Sequence, residues 1–318
     1  MRVIFIGASS FGLSCLSTII ALPSISVVGV LTGPGTFNIS YSNKPVRNML
    51  HVDLKKWCSD RALPCYEMLT SMHDEALLDQ MRALEPEAFV VAGWYHMIPK
   101  SWRDLAPAYG LHASLLPDYS GGAPLVWAMI NGESTTGITL FQMDEGVDSG
   151  PIVAQSEEPI HDRDTIATLY ERIEKKGRAL LAEFLPKLAV GDAVCRPQSS
   201  KNRRVMPQRS PDDGRIDWTQ DSRFIDRFIR AQTRPYPGAF SNIADKRITI
   251  WAARSIKAEH LHLPVGSICT LAEGRAVACG KGALILLEVE IDGRVFTTDN
   301  LFVALGERDM NDTGVRFS

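Results

Sequence analysis

The chain is short of the features that mark most specialised classes of protein. Its 318 residues hold six cysteines (Cys15, Cys58, Cys65, Cys195, Cys269 and Cys279), with no CxxC pair and no regular spacing. That pattern signals neither a zinc site nor a disulfide framework, so reduced thiols are expected. No apolar stretch approaches the length that spans a bilayer as a helix. The opening Met-Arg-Val-Ile-Phe-Ile-Gly is too short for a signal-peptide core and runs into a Gly-Ala-Ser-Ser turn. A soluble, cytoplasmic protein with no membrane partner is the expectation. Excess positive charge is also missing: 34 Lys and Arg against 37 Asp and Glu leave a net charge of -3, which weighs against a nucleic-acid partner. No spacing among His51, His73, His161, His260 and His262 makes a metal site; they read as surface or local hydrogen-bonding residues, and no metal is expected. There is no internal repeat and no low-complexity tract.

What is present is an ordinary globular composition, 45% hydrophobic and 22% charged. Val3–Ile6, Ile25–Leu31 and Ala88–Ala92 are short apolar runs, each ending at a glycine or a threonine-glycine turn. Between them, Phe11–Ile20, Val52–Arg61 and Asp74–Leu84 carry helical patterns, and Thr36–Asn48 reads as a long polar loop. Strands apolar on both faces, alternating with helices, predict a mostly parallel sheet covered on two sides, with ligands beyond the carboxyl ends of its strands. Gly137–Met143 and Pro151–Gln155 read as further strands. Asp164–Leu188 reads as a long helix, with Asp162 or Asp164 as its N-cap. From Gly191 to Asp213 the chain turns polar and reads as a linker, the Lys201, Arg203 and Arg204 cluster being a solvated part of it. Beyond the helical Ser222–Thr233, short strands at Arg247–Trp251, Gly266–Leu271, Ala276–Cys279, Ala283–Val289 and Arg294–Thr298 suggest a small barrel or sandwich, with Trp218 and Trp251 as core anchors. The expected division is an α/β domain over residues 1–203 and a β-rich domain over 204–318.

One block carries chemistry: Gly110-Leu-His-Ala-Ser-Leu-Leu-Pro117, then Gly121-Gly-Ala-Pro124, then Asp144-Glu-Gly-Val-Asp-Ser-Gly150. His112 and Asp148 offer an imidazole and a carboxylate for proton transfer, and the glycines let a loop approach a ligand closely. By contrast, the Gly7–Gly12 turn lacks the lysine of a P-loop and the full dinucleotide fingerprint. A structural turn is its better reading; if an anion binds there, Ser9, Ser10 and the helix N-terminus would hold it.

The block resembles the formyltransferases that use N10-formyltetrahydrofolate, among them the amino-sugar nucleotide and methionyl-tRNA formyltransferases. The family's Asn-x-His, Ser-Leu-Leu-Pro and Asp-Gly-x-Asp-x-Gly segments read here as Gly110-Leu111-His112, Ser114–Pro117 and Glu145–Gly150. Gly93–Pro99, Gln208–Trp218 and Ile229–Phe240 extend the likeness over nearly the whole chain. The resemblance implies a Rossmann-like catalytic domain with a small open barrel after it, and N10-formyltetrahydrofolate as co-substrate. It also implies a pterin cleft lined by Trp94, Tyr95, His96, Met97 and Ile98 and by Phe141, Met143, Asp144, Glu145, Gly146 and Val147. His112 and Asp148 take the catalytic places, and Ser114, Leu115, Pro117, Gly121 and Gly122 fall on the substrate side.

The chain departs from the pattern in two places. Gly110 stands where the family has an asparagine that donates to the formyl oxygen, a contact worth about 2.7–4 kcal/mol in the transition state. A water in the vacated space, or a donor from another segment, is the expected substitute. Tyr119-Ser120-Gly121 also lacks the family's arginine. These departures keep two alternatives open: a formyltetrahydrofolate hydrolase with water as acceptor, and a non-catalytic binder of folate or a nucleotide sugar. For the acceptor, the Gly33–Asn48 loop holds only Lys44 and Arg47, poor material for gripping RNA phosphates. That favours a small-molecule amine, a nucleotide-linked amino sugar first, over methionyl-tRNA. Homodimerisation is left open.

Overall fold

The computed structural model describes residues 1–38, 44–199, 201, 203–243, 246–258, 263–297, 300 and 316–318. His260, His262, Thr298 and the centre of the expected 36–48 loop lie outside the described residues. The chain folds as two units. The first comprises Met1–Pro124, Thr135–Pro159 and Tyr170–Gln208; the second comprises Leu125–Ser134, Ile160–Leu169 and Arg209–Ser318.

The first unit opens with β1 (Arg2–Ile6), α1 (Ser10–Ile20), β2 (Ser26–Thr32), the short β3 (Thr36–Phe37) and β4 (Val46–Arg47), and α2 (Leu54–Ser59). Then come β5 (Cys65–Glu67), α3 (Glu75–Ala83), β6 (Ala88–Val91), α4 (Lys100–Arg103), β7 (Ala108–His112) and β8 (Ser120–Gly121). The helix α5 (Pro124–Asn131) falls almost wholly in the second unit. The strands β9 (Thr135–Gln142) and β10 (Ile152–Pro159), most of the long α6 (Ile166–Ala189) and β11 (Val205–Met206) complete the first. Seven strands form one sheet in the order β10-β9-β7-β6-β1-β2-β5, parallel from β7 through β5, with β9 and β10 added antiparallel. This is the Rossmann-like, mostly parallel sheet that the apolar runs predict. β1 and β6 are buried almost throughout because helices cover both faces of a parallel sheet. Ile4, Ile6, Leu31, Phe89 and Trp102 lie in its main core, and the Trp102 indole N–H donates to the Met72 carbonyl at 2.8 Å.

The polar stretch after β2 departs from a plain loop. Thr36–Phe37 and Val46–Arg47 pair antiparallel. The edge strand β5 carries a pattern too short to stand out by periodicity. The segment read as a linker is also different: Val205–Met206 pairs in parallel with Ser120–Gly121, and Arg196 exchanges backbone hydrogen bonds with Ile152 at 2.7 and 2.8 Å. It lies against the first unit as a strap.

The second unit contains α7 (Ser222–Arg230) and the antiparallel strands β12 (Ala239–Ile243), β13 (Lys246–Ile256), β14 (Ile268–Leu271), β15 (Gly274–Ala278), β16 (Ala283–Ile291) and β17 (Arg294–Thr297). They form a half-barrel sheet, β12-β13-β16-β15-β14, with β17 on β16. Alternating residues such as Ile248, Ile250, Leu284 and Leu286 fill its core with Ile225 and Ile229 of α7. Trp218 belongs to that core and donates to Ser241 Oγ at 2.8 Å, whereas Trp251 is half-buried beneath the Arg234 guanidinium, 4.2 Å away.

Candidate active site

Every residue singled out for chemistry falls within the first unit. His112 ends β7, and its register partner on β9 is Thr139. Because β9 runs antiparallel, it finishes beside the start of β7: Gln142 pairs with Tyr109, and the Met143 N–H donates to the Ala108 carbonyl at 2.7 Å. The loop 143–151 therefore doubles back to bring Asp148 to His112. Asp148 Oδ2 lies 3.4 Å from His112 Nδ1, the two side chains being 21% and 10% exposed. The same oxygen accepts the Gly121 N–H at 2.8 Å. Asp148 Oδ1 has no hydrogen-bond partner among the described residues.

His112 Nε2 is 2.8 Å from the Tyr119 carbonyl. A carbonyl only accepts, so Nε2 carries a proton in either charge state of the ring. Both ring nitrogens are thus engaged. Nδ1 is the atom through which a proton can pass to or from Asp148.

The turn 113–122 is held from behind. Thr139 Oγ1 donates to the Ser114 carbonyl and accepts from the Leu116 N–H, Ser114 Oγ donates to the Asp118 carbonyl, and Gln155 donates to both Thr139 Oγ1 and the Leu116 carbonyl. Ser114 is buried and tied into this turn, while Leu115 packs over Gly137 and Pro117 is half-buried. At Gly121 and Gly122 a Cβ would lie 2.5 Å from the Met206 carbonyl oxygen and 2.5 Å from Gln208 Cα, so the passing strap requires glycine at both. In the Asp148 loop, Asp144 Oδ1 accepts from the Gly146 N–H and from Ser149 Oγ, whereas Glu145 and Val147 are exposed.

Gly110 lies on the same face of β7 as His112, two residues before it. A Cβ there would sit 2.4 Å from Met143 Cε and 3.2 Å from a Phe141 ring carbon. The point beside His112 where a side chain at position 110 would begin is taken by the movable end of the Met143 side chain.

The segment after β6 brings aromatic rings together. Trp94 and Phe37 flank His96 at 5.4 and 5.0 Å, Phe37 lies 5.4 Å from Tyr95, and Tyr95 donates to Asn48 Oδ1 at 3.1 Å. Burial pushes the His96 imidazole below its usual value. Ile98 is buried in the main core, while Tyr95 and Met97 are exposed. The Trp94 indole nitrogen is buried without a partner among the described residues.

Ser9 and Ser10 lie at the start of α1. Ser9 is 1% exposed and caps that helix, its hydroxyl accepting the Gly12 N–H at 3.1 Å; the Ser10 N–H donates to the Leu50 carbonyl. Gly7, Gly12 and Gly93 close around Ala92 and Ser9, so the turn is filled by protein. His51 is exposed and approaches the Gly33 carbonyl at 3.2 Å.

Sequence reasoning missed Gln198 and Arg203. Gln198 Nε2 donates to the carbonyls of Asp148 and Gly150 at 2.9 and 2.7 Å, and Arg203 donates to the Val147 carbonyl at 2.6 Å. Their signal was the extended Arg196-Pro-Gln, which by itself reads only as non-helical chain. Among the described residues no cluster of His, Cys, Asp and Glu could hold a metal ion, and no helix is long and apolar enough to cross a membrane.

Residues 26–185 match the family described as formyl transferase, and residues 209–302 match that described as formyl transferase, C-terminal domain. A methionyl-tRNA formyltransferase of Citrifermentans bemidjiense is 32% identical over 300 residues, 92% of this chain and 90% of the relative. HypX from Aquifex aeolicus in complex with tetrahydrofolic acid superposes with a TM-score of 0.64 at 18% identity, over 100% of this chain and 50% of HypX, so the chain spans half of that protein's length. An N-formyltransferase from Helicobacter canadensis, in complex with folinic acid and dTDP-3-aminofucose, superposes with a TM-score of 0.63 at 15% identity over 93% of this chain and 100% of its own. Both solved structures share the fold.

Proposed function

From the premise that this chain belongs to the formyl transferase family, we propose that it transfers the formyl group of N10-formyltetrahydrofolate to the amine of a small-molecule acceptor. A nucleotide-linked amino sugar is the first candidate class. The observation that carries the reading is the His112–Asp148 pair at 3.4 Å, with one carboxylate oxygen fixed by the Gly121 N–H and the other unpartnered among the described residues.

The amine must be neutral to attack the formyl carbon. As its nitrogen bonds to that carbon it becomes an ammonium, and Asp148 Oδ1 takes the proton. The carbon–N10 bond then breaks, N10 receives a proton returned through the carboxylate, and the formamide and tetrahydrofolate leave. His112 exchanges charge with Asp148 through Nδ1 and, when positively charged, stabilises the oxyanion. Folate is supported as co-substrate by the bound tetrahydrofolic and folinic acids named for the two solved relatives. The pterin would lie between the 94–98 segment and the 141–147 loop, with Ser114, Leu115, Pro117, Gly121 and Gly122 on the acceptor side. We keep residues 1–203 and 204–318 as the working division into catalytic and C-terminal domains.

A small acceptor suits a net charge of -3 and a Gly33–Asn48 stretch with only Lys44 and Arg47. Methionyl-tRNA is the second reading, favoured by the name of the 32%-identical relative. The assay is release of tetrahydrofolate from N10-formyltetrahydrofolate with a panel of amino sugars, with methionyl-tRNA, and with no acceptor. Release that requires an amino sugar supports the first reading and release that requires methionyl-tRNA supports the second. Release without any amine shows a hydrolase, and no release in any arm refutes formyl transfer.

A further inference from the structure

We infer that Gln198 is a positioning residue for this reaction: its side-chain amide locks the backbone that presents Asp148. The inference rests on the role proposed above for that carboxylate.

Asp148 has a φ of 50°, in the left-handed region that side chains other than glycine rarely occupy. Such a conformation persists where the surroundings over-determine it. Gln198 Nε2 has two hydrogens, and both are used here: one bonds the Asp148 carbonyl and the other the Gly150 carbonyl, at 2.9 and 2.7 Å. The reverse placement of the amide would turn its oxygen toward two carbonyl oxygens, so the orientation follows from the partners. Gln198 Oε1 is buried and has no partner among the described residues. A residue kept merely to fill space would not leave an acceptor so exposed to desolvation; the two donated bonds are what the position provides.

The strap around Gln198 joins both sides of the catalytic pair. On one side, Arg203 donates to the Val147 carbonyl, one residue before Asp148. On the other, the Arg204 and Met206 carbonyls accept the N–H groups of Ser120 and Gly122 at 3.0 Å each. Between those two, the Gly121 N–H points at Asp148 Oδ2, and Tyr119 just before them accepts from His112. Removing the Gln198 donors frees the Asp148 and Gly150 carbonyls and leaves the Arg203, Gly121 and His112 contacts of this loop in place.

The test uses the full chain. Gln198→Leu keeps the bulk and removes both donors. We expect kcat to fall about 10–100-fold, on the scale of the loss when a residue that orients a metal ligand is removed, with KM for N10-formyltetrahydrofolate within about 3-fold. Gln198→Asn, whose shorter amide reaches at most one carbonyl, should lie between it and the wild type, and serves if Gln198→Leu does not fold. In an Asp148→Asn background the Leu substitution should change the residual rate by less than about 2-fold, because sites acting through one another are not additive. An unchanged kcat, or the same proportional loss in both backgrounds, overturns the inference. Carbonyl-carbon NMR resonances separate this outcome from failure of the functional reading. A wild-type protein that releases no tetrahydrofolate refutes formyl transfer, yet Gln198→Leu must still shift the carbonyl-carbon resonances of Asp148 and Gly150, the two groups that accept from Gln198; unchanged resonances there overturn the role of Gln198.

Discussion

One methyl group decides how position 110 is to be read. Met143 Cε occupies the place where a side chain at Gly110 would begin. Gly110→Asn alone pushes aside the far end of the flexible Met143 side chain and moves the Phe141 ring by a few tenths of an ångström, so it should cost less than the about 1–3 kcal/mol of overpacking a rigid core; a slightly lower thermal midpoint is expected. Gly110→Asn with Met143→Ala makes room for the amide. If the amide reaches the formyl oxygen, the double variant should exceed the single in kcat by about 10²–10³-fold, the value of one oxyanion donor. Equal rates for the two in the folate-release assay would show that position 110 does not face the reacting carbonyl. Asp148→Asn keeps the shape but not the basicity. Its kcat should fall about 10²–10⁴-fold, the usual contribution of a general base, with folate affinity measured by fluorescence titration little changed. His112 and Asp148 were legible as a pair because their types suit proton transfer and their loops are rich in glycine. Met143 was not legible as the occupant of the space at 110, because that contact depends on the register of β7 against β9.

Strand ends show how the chain uses its glycines. Gly93 has a φ of 63°, and a Cβ there would lie 1.9 Å from Ser9 Oγ. Gly93→Ala should therefore displace the serine that caps α1. Loss of a cap alone costs about 0.5–2 kcal/mol, and left-handed strain adds about 1–2 kcal/mol; the midpoint of urea unfolding would report the sum, and an unchanged midpoint would contradict the packing described. The aromatic group around His96 adds a pH dependence. Its folded pKa is lowered by burial, so the unfolded chain binds the proton more readily and the folded state favours the neutral ring. This stabilisation is present above about pH 6.5 and is lost as the pH falls through the lower folded value. The thermal midpoint of the wild type should drop across that window more than that of His96→Phe. The element pattern made β1, β2, β6, α1 and α3 readable, since strands buried on both faces and capped helices leave strong local signals. The strap was misread as a linker because its polar side chains reach backbone carbonyls some 50 residues away in sequence, which no local pattern encodes.

Across the protein, burial controls the six thiols. Desolvation is the leading cause that raises every one of them, with Cys65 and Cys279 each pushed up to about 12. Thiolate is the reactive form, so native protein at neutral pH should be labelled slowly by iodoacetamide, and all six should react quickly in denaturant. Rapid labelling of any cysteine in the native protein would contradict that burial. All six cysteines are free thiols in the structure.

Composition, the alternation of apolar strands with helices, and the residue types around positions 110–150 were enough to read an α/β enzyme with a β-rich end and to single out the histidine and the carboxylate that meet at 3.4 Å. These are local properties: burial on two faces imposes a run of apolar residues, and proton chemistry requires particular side chains. Folding in three dimensions settled what depends on distant segments meeting. It counted residues 125–134 and 160–169 with the second unit, turned the loop after β9 back over β7, filled the space at Gly110 with Met143, and laid Gln198 across the carbonyls behind Asp148. Each is a contact between residues far apart in the chain, where geometry rather than residue type selects the partner.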